Sequence, residues 1–208
     1  LKEEDIFIIS DEIYDKLLYD NKSFSSMIEQ FPELEDKILV VNGMSKSYSM
    51  TGWRVGFGFA NQEWIANMAK IQSHTTSNVN TIAQYASARA LENEQLNQII
   101  EDRKEVYTRR RDMVAEMLAE IDQIKTIKPD GAFYFFIDIS KLKGLKLNDS
   151  EITGSLDFAD LLLKENGVAV VPGIAFGMDN FVRISFALGE DRIKEGIKRL
   201  ANFVAELS

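Results

Sequence analysis

Three short apolar runs surround one polar loop and constrain the fold more than any other feature: IFII at residues 6–9, KILVV at 37–41 and VGFGFA at 55–60. A short continuous apolar run reads as a strand buried on both faces, as in a parallel sheet. The first run ends in SDEIY and the second in NGMSK. Open α/β sheets place their ligands just beyond the carboxyl ends of such strands. Asp11, Tyr14 and Lys46 are therefore site candidates. Asp11 and Tyr14 lie three residues apart and share a face if the chain turns helically there. Asp11 reads equally well as the cap of a turn.

The segment at residues 42–56, NGMSKSYSMTGWRVG, sets a Ser-Lys pair in a Gly-bounded loop, with an arginine eight residues after the lysine. A loop lysine beside a hydroxyl and a fixed cation suits covalent capture of a carbonyl cofactor that also carries phosphate. Lys46 forms the Schiff base in that reading, and Ser45 and Arg54 hold the phosphate. The bland alternative is a solvated lysine. GMSK fits a nucleotide-binding phosphate loop poorly, because the first Gly of that motif is absent and Met44-Ser45 replaces the Gly before the lysine. The convergence of three strands on this loop favours a site.

Composition limits the alternatives. The 208-residue chain carries a net charge of −9, which argues against a nucleic-acid surface but not against a local basic pocket for a small anion. It has no cysteine and one histidine, His74, which removes disulfides, thiolate zinc and most histidine metal clusters. His74 sits in a polar break and is left out of the catalytic set. No apolar run approaches a membrane span and no signal peptide is visible, so a cytoplasmic protein is expected. The chain begins at Leu1 and runs almost at once into a strand-like stretch, which points to a fragment.

Beyond residue 61 the period becomes helical, with a break near residues 74–78 and a second helix from about 80 to 92. Apolar positions from Leu96 to Ile121 recur at three- and four-residue steps, as in a long amphipathic helix. Arg109-Arg110-Arg111 within it reads as a solvated face. A helix of this length often bridges two domains, which places a boundary near residue 108. Strands are expected at 123–127, 132–139, 168–171 and 181–186, a loop at 141–155, and helices at 156–165 and 192–207. This pattern describes a small α+β domain.

The stretches ISDEIY, NGMSKSYSMTGWRVG, PDGAFYFF, VVPGIAFG and VRISFA resemble, in order, the class I aminotransferases of the large pyridoxal-phosphate fold. The bacterial aspartate/aromatic branch is the nearest likeness. The resemblance implies an α/β fold: residues 1–107 as the C-terminal part of a large domain with a mostly parallel sheet, and 108–208 as a small α+β domain. It implies pyridoxal 5′-phosphate as cofactor, amino-acid and 2-oxo-acid substrates, and a homodimer whose sites are shared between subunits. Lys46 takes the cofactor and then moves the substrate proton, Asp11 faces the pyridine nitrogen, and Tyr14 bonds the phenolic oxygen. Ser45 and Arg54 bind phosphate, and Arg183 takes the substrate α-carboxylate. The family's chains are about twice as long, so this piece alone is expected to be inactive. Relatives of the animal type carry an arginine in the segment matching residues 73–80, and none is present here. A carbon–sulfur lyase using the same lysine, and the aminotransferase-like domain of a transcriptional regulator, stay open as alternatives.

Overall fold

A computed structural model describes residues 6–208, and the chain divides into two compact units between Lys104 and Glu105. Each unit is built around its own sheet.

In the first unit, β1 (Ile8–Asp11), β2 (Ile38–Gly43) and β3 (Gly56–Phe59) form a sheet in that order. β1 and β2 run parallel with Ile8 opposite Ile38, and their connection carries the short helix α1 (Met27–Gln30) across one face. Leu34, Ile38 and Val40 form the core there, with Ile8, Met27 and Ile28 packed against them. β3 returns antiparallel, Val40 opposite Phe59. The loop before it doubles straight back instead of making the crossover a parallel neighbour needs. The glycines of VGFGFA mark close approach: a Cβ at Gly58 would sit 3.2 Å from the Leu39 side chain.

One expectation for β1 fails. Its apolar run predicts burial on both faces, yet Ile9 is 70% exposed and burial alternates along the strand. The face bearing Ile8 is the one packed into the core of Leu34, Ile38 and Val40.

Helices α2 (Gln62–Thr75) and α3 (Thr81–Glu92) follow. Each starts on an asparagine cap, Asn61 accepting from the Trp64 amide at 3.0 Å and Asn80 from the Ala83 amide at 3.1 Å. His74 lies exposed in the last turn of α2. The long helix α4 (Gln95–Ala119) carries the division between the units.

The second unit contains an antiparallel sheet and a separate hairpin. The sheet joins β4 (Lys125–Thr126) and β5 (Tyr134–Asp138) to two later strands. The stretch expected as plain loop at 141–155 holds the hairpin of β6 (Lys146–Leu147) and β7 (Ser150–Glu151), too short to leave a periodic signal. Next come α5 (Ser155–Asn166), ended by Gly167 at φ 66°, then β8 (Val171–Pro172), β9 (Phe181–Ser185) and α6 (Glu190–Glu206). The sheet order is β4-β5-β9-β8. The strand expected at 168–171 thus begins only at Val171. α6 buries Ile193, Ile197, Leu200, Phe203 and Val204 along one stripe.

The arginine run corrects a second expectation. Arg109 is exposed, but Arg111 is fully buried. Its guanidinium donates to Asp112 Oδ1 at 2.8 Å and to the Pro129 carbonyl at 3.3 Å. A helix turns its third consecutive residue well away from its first, so a charge run need not share one face. Burial pushes the Asp112 carboxyl up, but hydrogen bonds from Lys128 and Arg111 outweigh it and hold it below the usual carboxylate range.

No helix among the described residues is long and apolar enough to cross a membrane.

Candidate active site

The first unit holds a cleft of about 590 Å³ at the carboxyl ends of β1 and β2, lined by Asp11, Tyr14, Ser45, Lys46 and Arg54. Five of the six residues singled out in the sequence therefore meet at one place. The volume falls within the roughly 300–1,000 Å³ usual for ligand pockets. A slightly larger groove, about 640 Å³, lies in the second unit against Met113, Met117 and Ile197, rimmed by Glu120, Lys194 and Glu195. Size does not choose between them. The convergent lysine, carboxylate, phenol, hydroxyl and guanidinium of the first cleft do.

Asp11 closes β1, and its Oδ1 accepts from the Ile13 amide at 3.2 Å. It is thus both a turn cap and part of the cleft wall. The turn that follows is pinned from below by Glu12, which is buried. The Glu12 amide donates to the Val41 carbonyl at 2.8 Å. Its Oε1 accepts from the hydroxyls of Ser10 and Ser26 and from the Met27 amide at 2.9–3.0 Å. Tyr14 is carried on this turn.

The Lys46 loop leaves β2 at Gly43, where there is no room for a side chain: a Cβ would lie 2.8 Å from the Val55 carbonyl oxygen. Met44 donates to that same carbonyl at 3.1 Å, which brings the loop's two ends together. The Lys46 Nζ stands 5.7 Å from the centre of the Tyr14 ring. Arg54 adopts the left-handed conformation, φ 56°, and donates from Nη1 to the Thr51 carbonyl at 2.9 Å. Its fork is thereby tied to the loop's own backbone.

Arg183 belongs to the second unit, on β9 between buried Val182 and half-buried Ile184. Its guanidinium carbon lies 4.4 Å from the centre of the Tyr134 ring and 4.6 Å from that of Phe176. Among the described residues no carboxylate pairs with it. The guanidinium thus stands over the faces of two aromatic rings, and its planar fork is of the kind that pairs with a carboxylate.

Known proteins share this arrangement of strands and helices. The family model described as "Aminotransferase class I and II" matches residues 1–200. The chain belongs to that family. It is 38% identical over 205 residues to a probable aspartate/prephenate aminotransferase of Aquifex aeolicus, covering 99% of this chain and 50% of that one. Among solved structures, an aspartate aminotransferase from Rhizobium meliloti superposes with a TM-score of 0.91 at 38% identity, covering 97% of this chain and 50% of the other. The aromatic aminotransferase from Pyrococcus horikoshii gives a TM-score of 0.86 at 37% identity, over 98% and 52%. The chain thus spans about half the length of the relatives it matches.

Sequence reading missed a set of residues behind the cleft wall, next to Tyr14 and Lys46, that bear on its geometry. Asp15 accepts from Ser47 Oγ at 3.0 Å and from Asn42 Nδ2 at 3.1 Å. Ser47 is buried, and its carbonyl also accepts from Arg103 Nη1 at 3.3 Å. Adjacency to Tyr14 and Lys46 was the only sequence signal for Asp15 and Ser47. The pairings themselves span 27 and 32 residues and leave no local pattern.

Proposed function

We propose that this chain carries the lysine and part of the cofactor cradle of a pyridoxal-5′-phosphate-dependent aminotransferase. The reaction moves an amino group between an L-amino acid, aspartate-like or aromatic, and a 2-oxo acid. The observation that carries this reading is the meeting of Lys46, Asp11, Tyr14, Ser45 and Arg54 around one cleft. Their donor set fits the group: an amine for its aldehyde, a carboxylate for its ring nitrogen, a phenol for its ring oxygen, and a hydroxyl and guanidinium for its phosphate. When bound, the cofactor supplies an electron sink for the carbanion formed at the substrate α-carbon.

The protein's own groups do the rest. The Lys46 amine anchors the cofactor and then holds and moves the substrate α-proton. Asp11 keeps a proton on the ring nitrogen by offering the opposite charge. Tyr14 hydrogen-bonds the ring oxygen and tunes the basicity of the lysine nitrogen. Ser45 and Arg54 fix the phosphate end, Arg54 through its planar fork. Arg183 binds the substrate α-carboxylate. Borohydride reduction of the intact protein with cofactor is expected to leave a pyridoxyl group on the peptide containing Lys46. A group mapping to another lysine removes the reading. Pyruvate release without keto-acid-dependent amino transfer turns it into a β-elimination.

Arg183→Lys is expected to leave cofactor uptake intact and weaken both substrates. Losing a charge-assisted two-pronged contact costs about 1.5–3 kcal/mol, or roughly one to two decades in kcat/KM. Stopped-flow kinetics of both half-reactions check this, because each substrate carries the carboxylate. Unchanged rates in either direction remove Arg183 from the site.

The same reading gives a cytoplasmic homodimer. Ile71, Ile82 and Tyr85, 66–74% exposed on α2 and α3, offer apolar surface for a second copy. Sedimentation velocity on the intact protein is expected to show a dimer, and a monomer at micromolar concentration contradicts it.

A further inference from the structure

Three successive residues of the Tyr14 turn meet three successive residues of the Lys46 loop at one constant offset of 32 residues. The Lys46 Nζ lies 5.7 Å from the Tyr14 ring centre. Asp15 Oδ1 accepts from Ser47 Oγ at 3.0 Å. Lys16 Nζ donates to the Tyr48 hydroxyl at 2.7 Å and lies 4.7 Å from its ring centre. Side chains spaced this way join two loops like a short zipper, and its first pair is the two groups proposed to work on the cofactor.

We infer that Asp15 is the positioning residue of this zipper, setting where the Lys46 amine stands relative to the Tyr14 ring. The inference rests on the role proposed for Lys46. Asp15 is suited to it because its two oxygens reach different parts of the lysine loop. Oδ1 binds Ser47, directly after Lys46, and also accepts from the Lys16 amide at 2.8 Å. Oδ2 accepts from Asn42 Nδ2 at 3.1 Å, and Asn42 Oδ1 in turn accepts from the Gly43 amide at 2.7 Å. One carboxylate thus fixes the loop before and after the lysine. Hydrogen bonds to an ionised acceptor are stronger than neutral ones, and removing one partner leaves the other unsatisfied. Lys46 has four rotatable side-chain bonds, so its amine is only as well placed as the backbone that carries it.

The hydrogen-bond pattern allows an exchange test. Asp15→Asn sets an amide donor against either the Asn42 amide or the Lys16 backbone N–H, so one of those two contacts is lost. Asn42→Asp sets two carboxylates together. The double variant Asp15→Asn/Asn42→Asp restores a donor facing an acceptor, and the carboxylate at 42 still accepts from the Gly43 amide.

Two readouts are taken on the intact protein. In the cofactor-free form, amide hydrogen exchange over residues 44–50 is expected to quicken about tenfold in each single variant and return to within about twofold in the double. The rate at which pyridoxal phosphate becomes borohydride-reducible at Lys46 is expected to fall about tenfold in the singles and recover in the double. Ser47→Ala, which removes one bond and is milder should a single variant not fold, is expected to slow uptake about threefold.

Singles that exchange at the wild-type rate, or a double no better than the singles, overturn the anchor. Exchange and thermal stability that respond while the uptake rate at Lys46 stays at wild type reduce Asp15 to a loop staple and overturn the positioning role. A wild-type protein with no reducible link at Lys46 is a different failure. It removes the proposed function and the positioning role with it, while the exchange result on the anchor stands.

Discussion

Lys46→Ala is expected to lower amino transfer by the intact protein on the order of 10⁴-fold or more, with no pyridoxyl group trapped by borohydride. The size follows from two tasks resting on one amine. In the proposed reading Lys46 would hold the cofactor through its amine, and the same nitrogen would serve as the base for the substrate α-proton. Losing either costs several decades, and alanine loses both. Among the described residues that line the cleft, Lys46 is the only lysine. The nearby Lys16 is engaged with Tyr48 at 2.7 Å. Among the described residues lining the cleft, no second amine is placed to substitute. Single-turnover measurement with substrate and cofactor in excess separates slow chemistry from weak binding. Lys16→Ala serves as control, with an expected loss of about tenfold at most through the loosened loop. A Lys46→Ala protein within tenfold of wild type contradicts the reading.

How much of this was legible in the sequence depended on the range of the interactions involved. The three apolar runs placed the sheet of the first unit, and the polar residues at their ends placed Asp11, Tyr14 and Lys46, because strand ends and loops are local features. The long helix and α6 announced themselves by period. Arg183 was harder. Alternation in FVRISF gave its strand, but the pair of rings holding it comes from Tyr134 and Phe176, which no spacing in that strand predicts. Arg111 was misread because charge composition says nothing of rotation about the helix axis. Only the structure shows it reaching the Pro129 carbonyl. Asp15, Asn42 and Ser47 were invisible for a related reason. Their contacts are side-chain hydrogen bonds between loops, which carry neither the two-residue nor the 3.6-residue period that sequence patterns record.

Gly173 shows the same limit in the second unit, and substitution there is expected to have the largest effect on stability. Gly173 begins the tight turn between β8 and β9 and is buried. Its amide-to-carbonyl frame closes on itself, with the Met178 amide donating to the Gly173 carbonyl at 3.0 Å and the Phe181 amide to the Met178 carbonyl at 3.0 Å. A Cβ at 173 would sit 2.3 Å from both the Met178 and the Phe181 carbonyl oxygens. Both neighbours are backbone, so neither can swing aside as a side-chain tip would. Relief requires moving the start of β9, whose Phe181 ring is stacked on Phe136 at 4.7 Å. Gly173→Ala is therefore expected to cost about 3 kcal/mol, the upper end of ordinary overpacking. Gly196→Ala is the opposite case in the same unit. It lies inside α6 with nothing within 4 Å of where a Cβ would stand. Alanine there is expected to stabilise by about 0.5–1 kcal/mol, since glycine is the poorer helix former. Denaturant unfolding of both variants in the intact protein, followed at the second unit, checks the contrast. Because Arg183 lies two residues beyond Phe181, the displaced strand also carries its guanidinium away from the position set by Tyr134 and Phe176. Gly173→Ala is accordingly expected to raise KM for amino acid and 2-oxo acid alike by about tenfold, with Gly196→Ala unchanged. A Gly173→Ala protein as stable as wild type shows that the turn can open without disturbing β9. A protein destabilised as expected but with both KM values unmoved detaches Arg183 from the substrate carboxylate.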